Sequence, residues 1–413
     1  MAESASFPTA LSVAQARERI VEMCTRRALP PERIDLISAL GRTLAVDAIA
    51  PFDIPGFTNS AMDGFAVRGV DLPGNGDKQF QLIGEILAGG AQPPEVGADC
   101  CVRIMTGAAL PRGADTVVMK ENTRVDGQQV IVSAGTSSGA NVRPAGEDYR
   151  SGEVGVARGE ELTSPRLGVL ASFGMAQVDV ARRPRIVLLT TGDELVEPGK
   201  PLGFGQIHDS NRYSLGGLIE EHGGTLLRHE RVRDDPPSLR DALSRAGTDA
   251  DLIVSSGGVS AGDADFLPQL IAEIGKVHFW KVRIKPGMPF LFGEVGRALA
   301  FALPGNPVSG IAIFLTLLKP ALVALAGAKD RQTTLRARLA LPIDKRHSRA
   351  EFQRARLACD AQGGLWATPQ TRQGSGMLRG VAEADALVVL PEGAYAFGAG
   401  DVVEVLALPG WPR

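Results

Sequence analysis

From Arg185 onward, short apolar runs alternate with segments of helical periodicity. RIVLLT leads into the turn TGDEL, TLLRHERV into RDDP, LIVSS into GGVSAGDAD, VHFWKVRI into KPGMPF, and ALAFAL into PGNPVS. Between them, RYSLGGLIEEHGG, SLRDALSRAG, FLPQLIAEIG and a long apolar stretch from Val308 to about Ala326 carry the helical spacing. Strands alternating with helices predict a parallel sheet with helices packed on it. Each strand hands over to a turn rich in Gly, Ser, Thr, Asp or Asn, and in such sheets those turns share the rim where ligands collect.

The flanking regions have a different texture. Ser12 followed by Gln15 forms a capping-box signal, and Val13, Ala16, Ile20 and Met23 follow at helical spacing, which predicts a helix over 11–27. After Pro30 and Pro31, IDLISALGRTLAVDAIA predicts a second helix and a short strand. Residues 51–68 form a polar loop punctuated by Pro and Gly; it is either a domain junction or a site, and its spacing favours a junction. Short β-prone pieces over 69–147 predict a small all-β lobe inserted into the first domain, and helix resumes near Pro165. Glu147 and Asp148 lie in the turn between and read as solvated surface. From about Lys329 the pattern is β again, which fits a small barrel or sandwich. An arginine in such a strand, as at Arg354, Arg356 or Arg372, reads as solvent-facing. The fold class expected is multidomain α/β plus β. Residues 1–52 and 148–182 form the first domain, 53–147 the inserted lobe, 183–327 the α/β domain and 328–413 the barrel.

Composition narrows the function classes. The 413 residues carry 44 Lys and Arg, dispersed rather than massed, and a formal net charge of -3, which gives no basis for a nucleic-acid or membrane-surface partner. Cys24, Cys100, Cys101 and Cys359 have no metal-ligand spacing and read as reduced thiols of a cytoplasmic protein. No apolar run is read as reaching the roughly 18 residues that span a bilayer.

Candidate chemistry gathers on the rim. In DLIVSSGGVSAGDADF, Gly257, Gly258 and Gly262 allow backbone to approach a ligand, while Ser255, Ser256 and Ser260 add hydroxyls and Asp263 and Asp265 carboxylates. Alone, such a glycine pair reads more readily as a well-capped strand-to-helix turn than as a site, and it is the repetition of the pattern in nearby turns that shifts the reading. The neighbouring turns add Thr191, Asp193, Glu194, Asp209, Asn211, Asp234, Asp235, Lys281, Lys285, Asn306 and Ser309. Glycine N–H groups, hydroxyls and lysines suit a phosphate or another oxyanion, and many carboxylates without histidines suit Mg²⁺, which together point to phosphoryl or nucleotidyl chemistry. A P-loop, a strand-linked dinucleotide fingerprint and zinc-type histidine spacing are all missing from the sequence.

The series NSAMDGFA, RIMTGA, NVRPAGEDY, TGDEL, DSN, SSGGVSAGDADF, WKVRIKPG, LPGNPVS, FQR and QGS, in this order over nearly the whole chain, resembles the molybdopterin molybdenumtransferase family, to which the C-terminal domain of gephyrin also belongs. The resemblance implies an elongated homodimer of four-domain subunits that inserts molybdenum from molybdate into adenylylated molybdopterin and releases AMP with Mg²⁺. It implies functional roles for Asp63, Asp148, Glu194, Asp234 or Asp235, Asp265, Lys281, Lys285, an arginine of the FQR segment (Arg354) and Ser375, with Glu194, Asp234 and Asp265 as metal ligands. The pterin nucleotide would be held by Thr191, Gly192 and Asp193, by Asp209, Ser210 and Asn211, and by Ser256, Gly257, Gly258, Ser260, Gly262 and Asp263. Pro304, Gly305, Asn306, Pro307 and Ser309 would complete its site. The upstream adenylyltransferase and acceptor molybdoenzymes are the implied partners. Many members read KPGKP where this chain has Met288, which cannot donate to an oxyanion. The alternatives are the adjacent adenylylation step, which the additional N- and C-terminal regions disfavour, and a non-catalytic gephyrin-like scaffold, which the retained acids and lysines disfavour.

Overall fold

The computed structural model describes residues 8–91, 94–259, 266–329 and 334–411. Ser260, Gly262, Asp263 and Asp265 lie outside the described residues.

A seven-stranded sheet runs in the order Thr9–Leu11, Gly275–Val282, Leu291–Val295, Ala298–Leu303, Leu252–Ser256, Arg185–Thr191, Thr225–Val232. Leu291–Val295 is antiparallel to both neighbours, whereas the other pairings are parallel. The sheet is therefore parallel except at one strand, because the two-residue turn between Val295 and Ala298 leaves no length for a crossover helix. Both faces are covered. Ile186, Leu188, Leu252 and Val254 point to one core with the helices Asn211–Glu221 and Pro307–Leu325. Val187, Leu189 and Ile253 point to the other, with Pro236–Asp249 and Leu267–Ile274.

The N-terminal helix Val13–Arg26 starts at the expected capping box, in which the Ser12 hydroxyl accepts from the Gln15 amide (3.1 Å) and the Gln15 side chain accepts from the Ser12 amide (3.0 Å). Ala16, Ile20 and Cys24 are fully buried in the core that holds the Pro307–Leu325 helix. Together with the edge strand Thr9–Leu11, this helix packs with the α/β sheet, although the sequence division grouped it with the first domain. A three-residue strand has too few positions to show a period, so its pairing partner is not readable. Pro307–Leu325 is also long and apolar enough to cross a membrane, contrary to the sequence expectation, but 83% of its apolar window is buried as the domain's central helix. It widens to π geometry over Phe314–Leu318, just before Pro320, whose missing N–H cannot continue the ladder.

Of the second helix and short strand expected within 34–50, the helix does not form and the strand does. Pro31–Asp35 pairs instead with Gln177–Ala181, one 3₁₀ turn spans Leu36–Ser38, and Ala48–Ile49 pairs with Val154–Val156. Gly41, at φ 72°, breaks the helical path and lets the chain turn back onto these partners. The inserted lobe is a six-stranded sheet with a small core on each face. In the C-terminal region, Ala350–Cys359, Leu365–Pro369, Leu335–Leu339, Val402–Ala407 and Ala386–Leu390 pair in a closed ring of five strands. Ile284–Lys285 pairs onto Ala350–Glu351 and so fastens the α/β domain to the barrel.

His222, just after the Asn211–Glu221 helix, stacks on Phe314 (5.7 Å between centroids), and its Nε2 is buried without a partner among the described residues. Burial, with a contribution from Lys319, pushes the imidazole down to about 4. Between the ordinary value of 6.5 and about 4 the unfolded chain therefore binds a proton that the folded chain refuses, so stability falls as pH drops through that window. His222→Phe keeps the stacking and removes the titration. It should flatten that part of a plot of urea midpoint against pH, and equal slopes for both proteins would refute the assignment.

Candidate active site

The turns at the carboxyl end of the sheet enclose a cavity of about 610 Å³. One glycine allows two turns to meet: a Cβ on Gly257, which sits at φ 102°, would lie 2.6 Å from the Thr191 carbonyl oxygen, whereas one on Gly192 would meet only the movable Glu194 carboxylate of its own turn. Asn211, the first residue of its helix, ties three turns together. Its Nδ2 donates to Ser256 Oγ (2.8 Å) and to the Gly305 carbonyl (2.7 Å), while its Oδ1 is buried with no partner among the described residues. Asp209 is a buried wall residue whose carboxylate accepts from Thr190 Oγ1 (2.6 Å) and from the Arg212 amide (3.0 Å). Burial acts to raise its pKa, but hydrogen bonds from His229, Thr190 and the Arg212 amide outweigh this and hold it below the usual range.

The adjacent acids of RDDP separate by role. Asp234 lines the cavity and accepts from Thr191 Oγ1 (3.1 Å). Asp235 caps the Pro236–Asp249 helix, accepting from the Ser238 amide (3.0 Å) and hydroxyl (2.9 Å), and these bonds lower its pKa. Glu194 and Ser210 line the cavity with Asp234, whereas Asp193 is exposed and outside its lining.

A second cavity of about 400 Å³ adjoins the first and shares Pro289, Pro304 and Asn306 with it. Lys285, Met288, Ser309, Arg349, Glu351 and Ser375 line it. Lys285 pairs with the buried Glu351 (2.9 Å), which also meets His347 Nε2 (3.1 Å). Arg349 was not singled out from the sequence; among the described residues no acid or carbonyl engages its guanidinium, and its place in the cavity depends on how the barrel docks. Arg354, expected to face solvent, is 1% exposed and lines neither cavity. Its side chain donates to the carbonyls of Arg372 (2.7 Å) and Gly374 (3.2 Å) and to Gln370 Oε1 (3.4 Å), which holds the loop carrying Ser375. The Ser375 carbonyl in turn accepts from the Val308 amide (3.1 Å).

Three expected residues lie elsewhere. Lys281, at φ 65°, places its ammonium 4.1 Å from the Trp280 ring centre and lines neither cavity. Asp63, on the inserted lobe, accepts from the Thr106 amide and hydroxyl (both 2.9 Å), bonds that hold its carboxyl below the usual range, and its other oxygen lies 3.5 Å from Lys120 Nζ. Asp148 is exposed at the junction, with its amide bonded to the Ile54 carbonyl (2.9 Å). Among the described residues, every residue lining the first cavity is numbered 190 or higher, and the second is lined from Lys285 onward. No cluster of three or more His, Cys, Asp or Glu side chains suited to a metal occurs among the described residues.

Comparison with known proteins gives consistent matches along the chain. Residues 11–174 match the MoeA N-terminal region (domain I and II), 187–324 the probable molybdopterin binding domain, and 336–408 the MoeA C-terminal region (domain IV). The chain is 36% identical over 402 residues to the molybdopterin molybdenumtransferase of Haemophilus influenzae, covering 96% of this chain and 98% of that one. It is 34% identical over 391 residues to that of a Nostoc species, covering 92% and 89% respectively. Among solved structures, the molybdopterin biosynthesis MoeA protein from Pyrococcus horikosii superposes with a TM-score of 0.82 at 30% identity, covering 97% of this chain and all of that one.

The contrast between the two arginines is open to measurement. Arg354→Gln removes three charge-assisted bonds from a buried site and should destabilise the protein by about 1–3 kcal/mol. Arg349→Gln, at a cavity surface, should stay within about 0.5 kcal/mol of the parent. Equal losses in chemical denaturation would contradict this division.

Proposed function

The chain belongs to the molybdopterin molybdenumtransferase family, transferases of molybdenum cofactor biosynthesis, and we propose that its two adjoining cavities divide the substrates between them. The first takes the adenylylated end of the pterin nucleotide and the second takes molybdate; water adds across the phosphoric anhydride bond so that AMP leaves and the phosphate stays on the pterin, and molybdenum passes to the dithiolene as two molybdate oxygens leave as water with the thiol protons. The observation that carries this reading is the shared wall of Pro289, Pro304 and Asn306, which sets a cation-bearing pocket directly beside one built from glycine turns and acids.

In the first cavity, the backbone N–H groups of Gly258 and Gly305 would serve phosphate oxygens, that of Gly257 being held by the Leu303 carbonyl (3.0 Å), and the unpartnered Asn211 oxygen accepts from a ligand N–H or hydroxyl. Glu194 and Asp234 are the hard carboxylate donors, with Asp265 as a third candidate from the family motif. That set fits Mg²⁺, which is commonly held by one or two carboxylates together with substrate phosphates. Bound there, the ion would neutralise the phosphate charge that builds as AMP departs. Asp235 and Arg354 act at one remove, the first by capping a helix and the second by fixing the Ser375 loop.

In the second cavity, Lys285, Arg349 and the hydroxyls of Ser309 and Ser375 supply donors to molybdate, and Met288 supplies none. Glu351 draws off part of the Lys285 charge, which leaves Arg349 as the stronger electrostatic contact.

Asp63 and Asp148 would act across a two-fold axis, with the lobe of one subunit over the α/β domain of its partner. Their exposure and the lining of both cavities by residues from Thr190 onward support this, as do the exposed apolar side chains Ile37, Phe52, Phe57 and Val70 of the first domain and lobe. Free thiols at all four cysteines fit a cytoplasmic enzyme, working between the adenylyltransferase that makes its substrate and the molybdoenzymes that accept its product.

Two measurements follow. Mixed dimers of inactive Asp63→Asn and inactive Asp234→Asn subunits should recover roughly a quarter of wild-type AMP release, since about half the dimers are mixed and each has one intact site. No recovery, with heterodimers confirmed by mass, would mean that each subunit supplies its own acids. In the second cavity, Arg349→Gln should weaken apparent molybdate affinity by about 1.5–3 kcal/mol, and Met288→Lys should strengthen it. A molybdate dependence untouched by either change would place the oxyanion elsewhere.

A further inference from the structure

Behind Asp209, on the side away from the proposed pterin site, lies a separate cavity of about 240 Å³. Asp209 lines both cavities, and His229 lines only this one. We propose that this cavity is a second anion site, built for a small tetrahedral oxyanion of the phosphate, sulfate or molybdate class.

Charge supports this first. Lys200, Arg212 and Arg231 line the cavity against two carboxylates. Glu197 is shared between Lys200 (3.3 Å) and Arg212 (3.2 Å), so one negative charge serves two cations. Asp209 is occupied by Thr190, the Arg212 amide and, at 3.5 Å, His229 Nε2. Arg231 donates to the Leu195 carbonyl (2.5 Å), which satisfies a hydrogen bond but neutralises nothing. The lining therefore carries one positive charge more than it balances, before His229 is counted.

Buried geometry supports it next. The side chains of His229 and Asp209 are 8% and 4% exposed, so the inner wall is built rather than a surface accident. Thr190 has one hydroxyl proton and gives it to Asp209 (2.6 Å), so toward His229 Nε2, 2.8 Å away, it can only accept. His229 therefore carries its proton on Nε2, and Nδ1 is left as the nitrogen available to the cavity. A protonated oxyanion can donate its hydroxyl to Nδ1, while Lys200, Arg212 and Arg231 supply the donors to its other oxygens. Size narrows the class, since 240 Å³ falls below the roughly 300–1,000 Å³ typical of pockets for drug-sized ligands, which suits an ion rather than a whole nucleotide. Because Thr190 and Asp209 also line the first cavity, an anion held here touches the wall of the pterin site through one hydrogen-bonded chain.

The test is a titration of the full-length protein with phosphate, sulfate and molybdate in turn, read in the ring ¹H–¹⁵N spectrum of its five histidines. The His229 signals are identified by their loss in His229→Gln. At least one oxyanion should shift the His229 nitrogens saturably at millimolar concentration, and the anion that does so most tightly identifies the ligand. Arg231→Gln and, independently, the exposed Lys200→Gln should each weaken that response about tenfold, while Arg349→Gln leaves it intact. A flat response to all three anions, a response unchanged in the Arg231→Gln, Lys200→Gln double variant, or one abolished by Arg349→Gln would overturn the proposal.

Discussion

The amide of Asn211 is the contact on which the rest of the rim depends. One nitrogen bonds both the Ser256 hydroxyl and the Gly305 carbonyl, so three turns from distant parts of the sequence are held within one side chain's reach. The approach of the turn after Ser256 to the one after Thr191 is possible because Gly257 carries no Cβ; a side chain there would strike the Thr191 carbonyl. Without that closeness the turns would be a set of separate loops. With it they wall a cavity in which backbone N–H groups, Asp234 and Glu194 face the same space.

The barrel completes this arrangement through a second constraint. Arg354 is buried and its donors end on the loop before Ser375, which in turn bonds the start of the Pro307–Leu325 helix. Pairing of Ile284–Lys285 with Ala350–Glu351 fixes the other side. The second cavity thus lies between two domains that are tied at two places. That division matters chemically, because the α/β domain supplies Lys285, Met288 and Ser309 while the barrel supplies Arg349 and Ser375. Met288 brings no charge to this cavity and Arg349 brings one, although sixty-one positions separate them in the chain.

Much of this molecule is legible in its sequence by itself. The alternation of apolar runs and helical periods, the Ser12–Gln15 cap, the glycine turns at strand ends and the change of texture after Lys329 are local signals, and each rests on one residue's backbone preferences or on a short-range period. Tertiary structure alone decided the remainder, and in each case a long-range partner overrode or supplied what local pattern could not. The stretch 34–50 has helical composition but became strand and turn because distant segments pair with it: Gln177–Ala181 takes Ile34, Asp35 and Leu44, Glu161 takes Thr43, and Val154–Val156 takes Ala48–Ile49. Thr9–Leu11 is too short to show a period and acquired its identity from the sheet edge at Gly275–Val282. Arg354 looks solvent-facing in its strand, yet it is buried because carbonyls eighteen and twenty residues away satisfy its guanidinium. Asp234 and Asp235 are indistinguishable as neighbours in a chain; they differ only because one side chain meets Thr191 on another strand and the other meets the helix that follows it.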